Sequence, residues 1–166
     1  MRTKAIVVSF AVMLAGSLIA SAEQNGQHQN DKFLTITGTE TVGMVIDPGT
    51  YTFLKSGNTK LRGKISVYND QYLDYPQFSG ESIVTTNCDI GKDGTGHCWG
   101  AFWPTNEAGS GNFVGTWEGE FNFLTGNGSY KAVAHGVGPL DGYEARTDAS
   151  YPAGDLVTKV FLTNDR

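Results

Sequence analysis

The chain has 166 residues and a formal charge of −5, from 12 Lys and Arg against 17 Asp and Glu; that length suits one domain of ordinary size and not two. Only 17% of the residues are charged, 11% are aromatic and 22 are Gly, which marks a turn-rich chain with enough apolar area to exclude intrinsic disorder. A pI near 5.1 argues against a nucleic-acid partner, because nothing would neutralise the phosphates.

Arg2 and Lys4 make a short positive start, the run 5–20 (AIVVSFAVMLAGSLIA) carries no charge, and Ala20-Ser21-Ala22 supplies small residues. That layout predicts a secretory signal peptide over residues 1–22, cleaved after Ala22. The apolar run falls short of the roughly 20 residues a spanning helix needs, so no membrane association is expected after cleavage. The expected location is secreted or periplasmic. Residues 23–32 (EQNGQHQNDK) are polar and read as a flexible lead into a single domain over 33–166.

From Phe33 onward every segment reads as strand or turn, and no 3.6-residue apolar period is long enough for a helix. Strands are expected at Phe33–Thr39, Val42–Asp47, Tyr51–Lys55, Lys60–Asn69, Gln77–Asn87, His97–Pro104, Asn112–Leu124, Ser129–Val137 and Leu156–Leu162. DPGT (47–50), SGNT (56–59), TGNG (125–128) and GPLDG (138–142) carry the residues that tight turns require. Eight or nine strands in succession predict an all-β fold. The expected form is an antiparallel meander closed into an eight-stranded calycin-like barrel, since closure removes exposed edges. A two-sheet β-sandwich is the runner-up.

Cys88 and Cys98 flank DIGKDGTGH, a hairpin tip that brings them opposite each other. In an exported chain they are expected to form a disulfide. The same hairpin sets Val84 opposite Phe102 and Ile83 opposite Trp103. In 115–124 (GTWEGEFNFL), Trp117, Gly119, Phe121 and Phe123 share one face, while Thr116, Glu118, Glu120 and Asn122 share the other. With TGNG as the hairpin loop, Phe121 meets Ala132, Trp117 meets Gly136 and Glu118 meets His135. Large rings opposite Ala and Gly suit a curved interior, so the polar row is assigned to the outside.

The phrases WGAFWP (99–104), GTWEGEF (115–121) and YKAVAHGVGPLDGYEA (130–145), with Arg62-Gly63 and DYPQFSG (74–80) upstream, carry a family likeness. The chain resembles uncharacterised secreted bacterial proteins related in pattern to the allene-oxide-cyclase barrel, within the calycin-like group. The resemblance implies an eight-stranded barrel. It does not carry over the cyclase's activity, because that enzyme's catalytic residues match no position here.

Trp99, Trp103, Trp117, Phe121, Phe123 and Tyr130 are the candidate barrel lining for a small hydrophobic ligand. Glu118 and His135 would form an acid–base pair only if enclosed, and the alternation puts them outside. Asp141, Glu144 and Arg146 read as turn and solvated neighbours. His28, His97 and His135 lack metal-ligand spacing, and 89–94 (DIGKDG) lacks a calcium loop's alternating oxygens, so no metal or cofactor is expected. Three functions remain. The first is a barrel that binds a small molecule or serves an interaction. The second is an isomerase or hydrolase acting on a small apolar substrate inside it. The third is a structural or adhesive surface protein. Oligomeric state is open.

Overall fold

The computed structural model describes residues 33–105 and 113–163; the expected signal peptide (1–22) and flexible segment (23–32) lie outside them. Nine strands run β1 Phe33–Asp47, β2 Thr50–Phe53, β3 Thr59–Gln71, β4 Gly80–Ile90, β5 Thr95–Pro104, β6 Phe113–Asn122, β7 Asn127–Gly136, β8 Tyr143–Tyr151 and β9 Asp155–Leu162. They form one antiparallel sheet in the order β1-β9-β8-β7-β6-β5-β4-β3-β2, and a further β1–β3 pairing closes it. The result is the expected all-β, closed eight-stranded antiparallel barrel, consistent with a calycin-like barrel.

Closure depends on the length of β1. Its first half pairs with β9, from Phe33↔Phe161 to Thr39↔Asp155. Its second half pairs with β3, from Thr39↔Gln71 to Asp47↔Ile65. The two strands expected at Phe33–Thr39 and Val42–Asp47 are therefore one. DPGT, expected as a turn between strands, interrupts a wall that β2 then continues along β3, from Thr50↔Arg62 to Phe53↔Thr59. Asp47 Oδ1 accepts the Gly49 N–H at 2.8 Å, and Gly49 has φ +74°, a conformation open to glycine at little cost. The chain thus steps sideways and resumes the same ladder.

Cys88 and Cys98 are paired in the β4–β5 hairpin and joined by a disulfide. Val84↔Phe102 and Ile83↔Trp103 also stand as the sequence predicts. A bond of this kind suggests an oxidising compartment.

The β6–β7 register requires correction. Asn122 pairs with Asn127, Phe121 with Gly128 and Trp117 with Ala132, so the loop is 123–126 and not TGNG, and each partner moves by four residues. Asn122 decides this. Its Oδ1 accepts the N–H groups of Leu124 and Thr125 at 3.0 and 3.1 Å, and its carbonyl accepts the Gly126 N–H at 2.8 Å. Side-chain acceptors of this type nucleate turns. An even shift keeps every residue on its face, so Trp117, Gly119 and Phe121 still point inward. Glu118 meets Lys131 instead of His135, on the outer face.

Strand β8 was missed in the sequence. Its inward positions include Ala145, Thr147 and Ala149 between Tyr143 and Tyr151, small residues that give little alternation signal.

One end of the barrel is filled. Short 3₁₀ turns at Pro76–Phe78 and Gly138–Leu140 tuck Phe78 and Leu140 against Ile36, Tyr72, Leu156 and Val160, all buried. Phe113 and Tyr143 pack on Phe78 at ring-centroid distances of 6.2 and 6.4 Å.

Candidate functional site

Bordering that plug, with Ile36, Tyr72, Phe78 and Val160 in its lining, the interior holds a cavity of about 440 Å³. Trp117, Phe121, Phe123 and Tyr130 from the sequence-derived set line it, and the Cys88–Cys98 pair forms part of its wall. Phe123 reaches it from the β6–β7 loop and is half exposed. Trp99 and Trp103, expected as lining, stand outside. Alternation along β5 is fixed by inward Cys98 and Phe102, which turns the odd-numbered positions to the surface. There the Arg62 guanidinium lies 5.0 Å from the Trp99 ring, which also stacks on His97 at 5.6 Å.

Trp117 is held by an unusual contact. Its indole N–H donates to the Thr85 carbonyl at 3.1 Å, across Gly100, its cross-strand partner. A Cβ on Gly100 would meet that carbonyl at 1.7 Å and the indole nitrogen at 2.8 Å. Only glycine lets the ring and the next strand approach so closely. Around Trp117 the rings continue without a break: Tyr130 at 5.8 Å, Phe121 at 6.3 Å, then Tyr151 at 6.0 Å from Phe121.

Two carboxyl groups face this aromatic wall. Glu40 on β1 accepts the Tyr130 hydroxyl at 2.9 Å through Oε2 and the Tyr151 hydroxyl through Oε1. Asp70 lies on β3 beside it; its Oδ1 is shut off from solvent, and the two carboxyl groups are close enough to hydrogen-bond each other. Burial, with the nearby Asp70 charge second, pushes the Glu40 carboxyl up to about 8. Burial also raises Asp70, to about 6. Desolvation disfavours the charged form of each acid. The adjacent phenols are raised for the same reason, Tyr68 to about 12. Tyr72 hands its hydroxyl on to Thr158 Oγ1 at 2.8 Å, which meets Thr147 Oγ1 at 2.8 Å.

Among the described residues neither carboxylate has a salt-bridge partner; the ion pairs Arg62–Asp89 and His97–Glu120 lie on the outer face. Lys64 also lines the cavity. No three His, Cys, Asp or Glu side chains among the described residues converge as a metal site.

Neither Glu40 nor Asp70 was singled out from sequence, although the signal was present. Leu34, Ile36, Gly38 and Glu40 keep one two-residue phase, as do Tyr68, Asp70 and Tyr72. Comparison with protein-family models, with curated proteins and with solved structures finds no match to this chain.

Proposed function

We propose that this is an exported calycin-like barrel protein that binds one small, mostly apolar molecule in its interior. The carrying observation is the aromatic-lined cavity of about 440 Å³, within the size range of small-molecule pockets. A surface or adhesive role needs no such cavity. Export is supported by the charged start and apolar run of residues 1–22 and by the Cys88–Cys98 disulfide. The likeness to the allene-oxide-cyclase barrel, in GTWEGEF and AHGVGPLDG, supports the same architecture and brings no activity with it. Displacement of a hydrophobic fluorescent probe from the purified protein is the test. Saturable binding that Trp117→Ala weakens supports the proposal, and no binding of any apolar probe defeats it.

A second reading has its own support. Glu40 is an enclosed acid that keeps its proton near neutral pH, beside a more acidic neighbour, Asp70. Pairs with separated proton affinities suit general acid–base work, so an isomerase or hydrolase on a small apolar substrate is the alternative. Turnover that Glu40→Gln abolishes, while probe binding persists, would select it.

A further inference from the structure

We infer that the molecule held in the barrel carries one cationic nitrogen, an ammonium or amidinium on an apolar body, seated between Glu40 and Asp70. This rests on the binding reading above and narrows it to a ligand class.

Charge inside the cavity is unbalanced. Two carboxyl groups sit side by side in an enclosed space, and no Lys or Arg among the described residues pairs with either. Enclosed like charges are costly unless a counter-charge or a proton relieves them. Glu40 is already oriented, because the Tyr130 and Tyr151 hydroxyls each occupy one of its oxygens. Asp70 lines the cavity beside it, and the two carboxyl groups are close enough to share one proton. An N–H donor arriving with positive charge takes the place of that proton, by a charge-assisted hydrogen bond to the carboxylates.

The walls fit the same class. Trp117, Phe121, Tyr130 and Tyr151 form a connected set of rings that meets Glu40 through the two tyrosines. Ring faces attract a cation and also pack an apolar body. A bare divalent ion fits less well, since it demands six or more oxygen ligands and these walls are mostly carbon. The groups that face the pair are Tyr68 and Tyr72 from β3, Tyr130 from β7 and Tyr151 from β8, with Lys64 elsewhere in the lining. Buried phenols keep their protons, so between about pH 5 and 9 the two acids do the titrating.

The experiment is calorimetry on the purified protein with three probes of one shape: 1-naphthylmethylamine, 1-naphthalenemethanol and 1-naphthoate. At about pH 8 the amine is expected to bind about tenfold or more tightly than the alcohol. Its affinity should fall as pH drops toward 5, because protonated acids no longer attract it. Heats measured in buffers of different ionisation enthalpy should show up to about one proton released on binding near neutrality. In Glu40→Gln and Asp70→Asn the amine's advantage over the alcohol, measured in the same variant, should shrink to about threefold or less. Equal affinity for amine and alcohol, or a preference for naphthoate, overturns the inference while leaving the barrel a binding protein. If none of the three binds, the binding reading itself falls. Should a variant fold poorly, the wild-type amine-to-alcohol ratio and proton release still decide.

Discussion

The two ends of this barrel share one ladder and are filled by different rules. At the 3₁₀-turn end, Phe78, Leu140, Ile36 and Val160 pack without an unmatched charge. Toward the other, Trp117, Phe121 and Tyr151 form a connected wall of rings, and the cavity they line is bordered by Phe78, Ile36 and Val160 as well as by Glu40 and Asp70. Dry packing stabilises, whereas enclosed acids held apart from counter-charges do not. The contrast separates an apolar plug, which packs the barrel and borders the cavity, from the wall that carries the cavity's acids. Substitutions at the two ends should therefore fail in different ways.

The largest effect is expected from Phe78→Ala, which removes the centre of the plug. It should cost about 3–5 kcal/mol in chemical denaturation, and because Phe78 also lines the cavity, probe affinity should change in the folded protein as well. Next comes the disulfide. The double substitution Cys88→Ser, Cys98→Ser frees a short loop and should cost about 2–3 kcal/mol, read as a lower urea midpoint that no longer responds to reductant.

Glu40→Gln sharpens the contrast through pH. In the folded chain the Glu40 carboxyl is raised from 4.5 to about 8, so the folded state holds a proton that the unfolded state has already lost. Its stabilisation is full below about 4.5 and is lost as pH rises through about 8. The wild type should lose on the order of 5 kcal/mol across that window, and the glutamine variant should show a flatter profile. A thermal melt series from acid to alkaline pH checks it; identical slopes would erase the distinction between the two ends. The smallest effect belongs to the outer face. Glu120→Gln, which breaks an exposed pair with His97 at 2.8 Å, should change stability by less than about 0.5 kcal/mol.

The sequence showed the barrel most clearly where side-chain size alternates strongly. In β6, Trp117 and Phe121 against Glu118 and Glu120 give the face directly, and Cys88 opposite Cys98 fixes the β4–β5 register. In β8 the inward residues are Ala145, Thr147 and Ala149, whose burial yields little hydrophobic contrast, so the strand passed unseen. The β6–β7 loop slipped because two stretches could make the turn, and the Asn122 side chain selects between them. Trp99 and Trp103 were grouped with the interior because they are large and apolar, yet their phase with Cys98 places them outside. Glu40 and Asp70 met the opposite bias. Acids are normally on the surface, so a residue-type argument discards them even where the two-residue phase points inward.

The β1 strand, which grips β9 along one half and β3 along the other, has a consequence for how the molecule is made. The seam Phe33↔Phe161 unites the first described strand with the last, so every strand from β1 to β9 must be present before the ring can zip shut. Such distant partners imply high contact order and slow assembly. During that delay the unzipped margins of β1 and β9 are open to neighbouring chains. Expression yield should thus depend more on mutations along this seam than on equally buried changes in the locally formed β4–β5 hairpin.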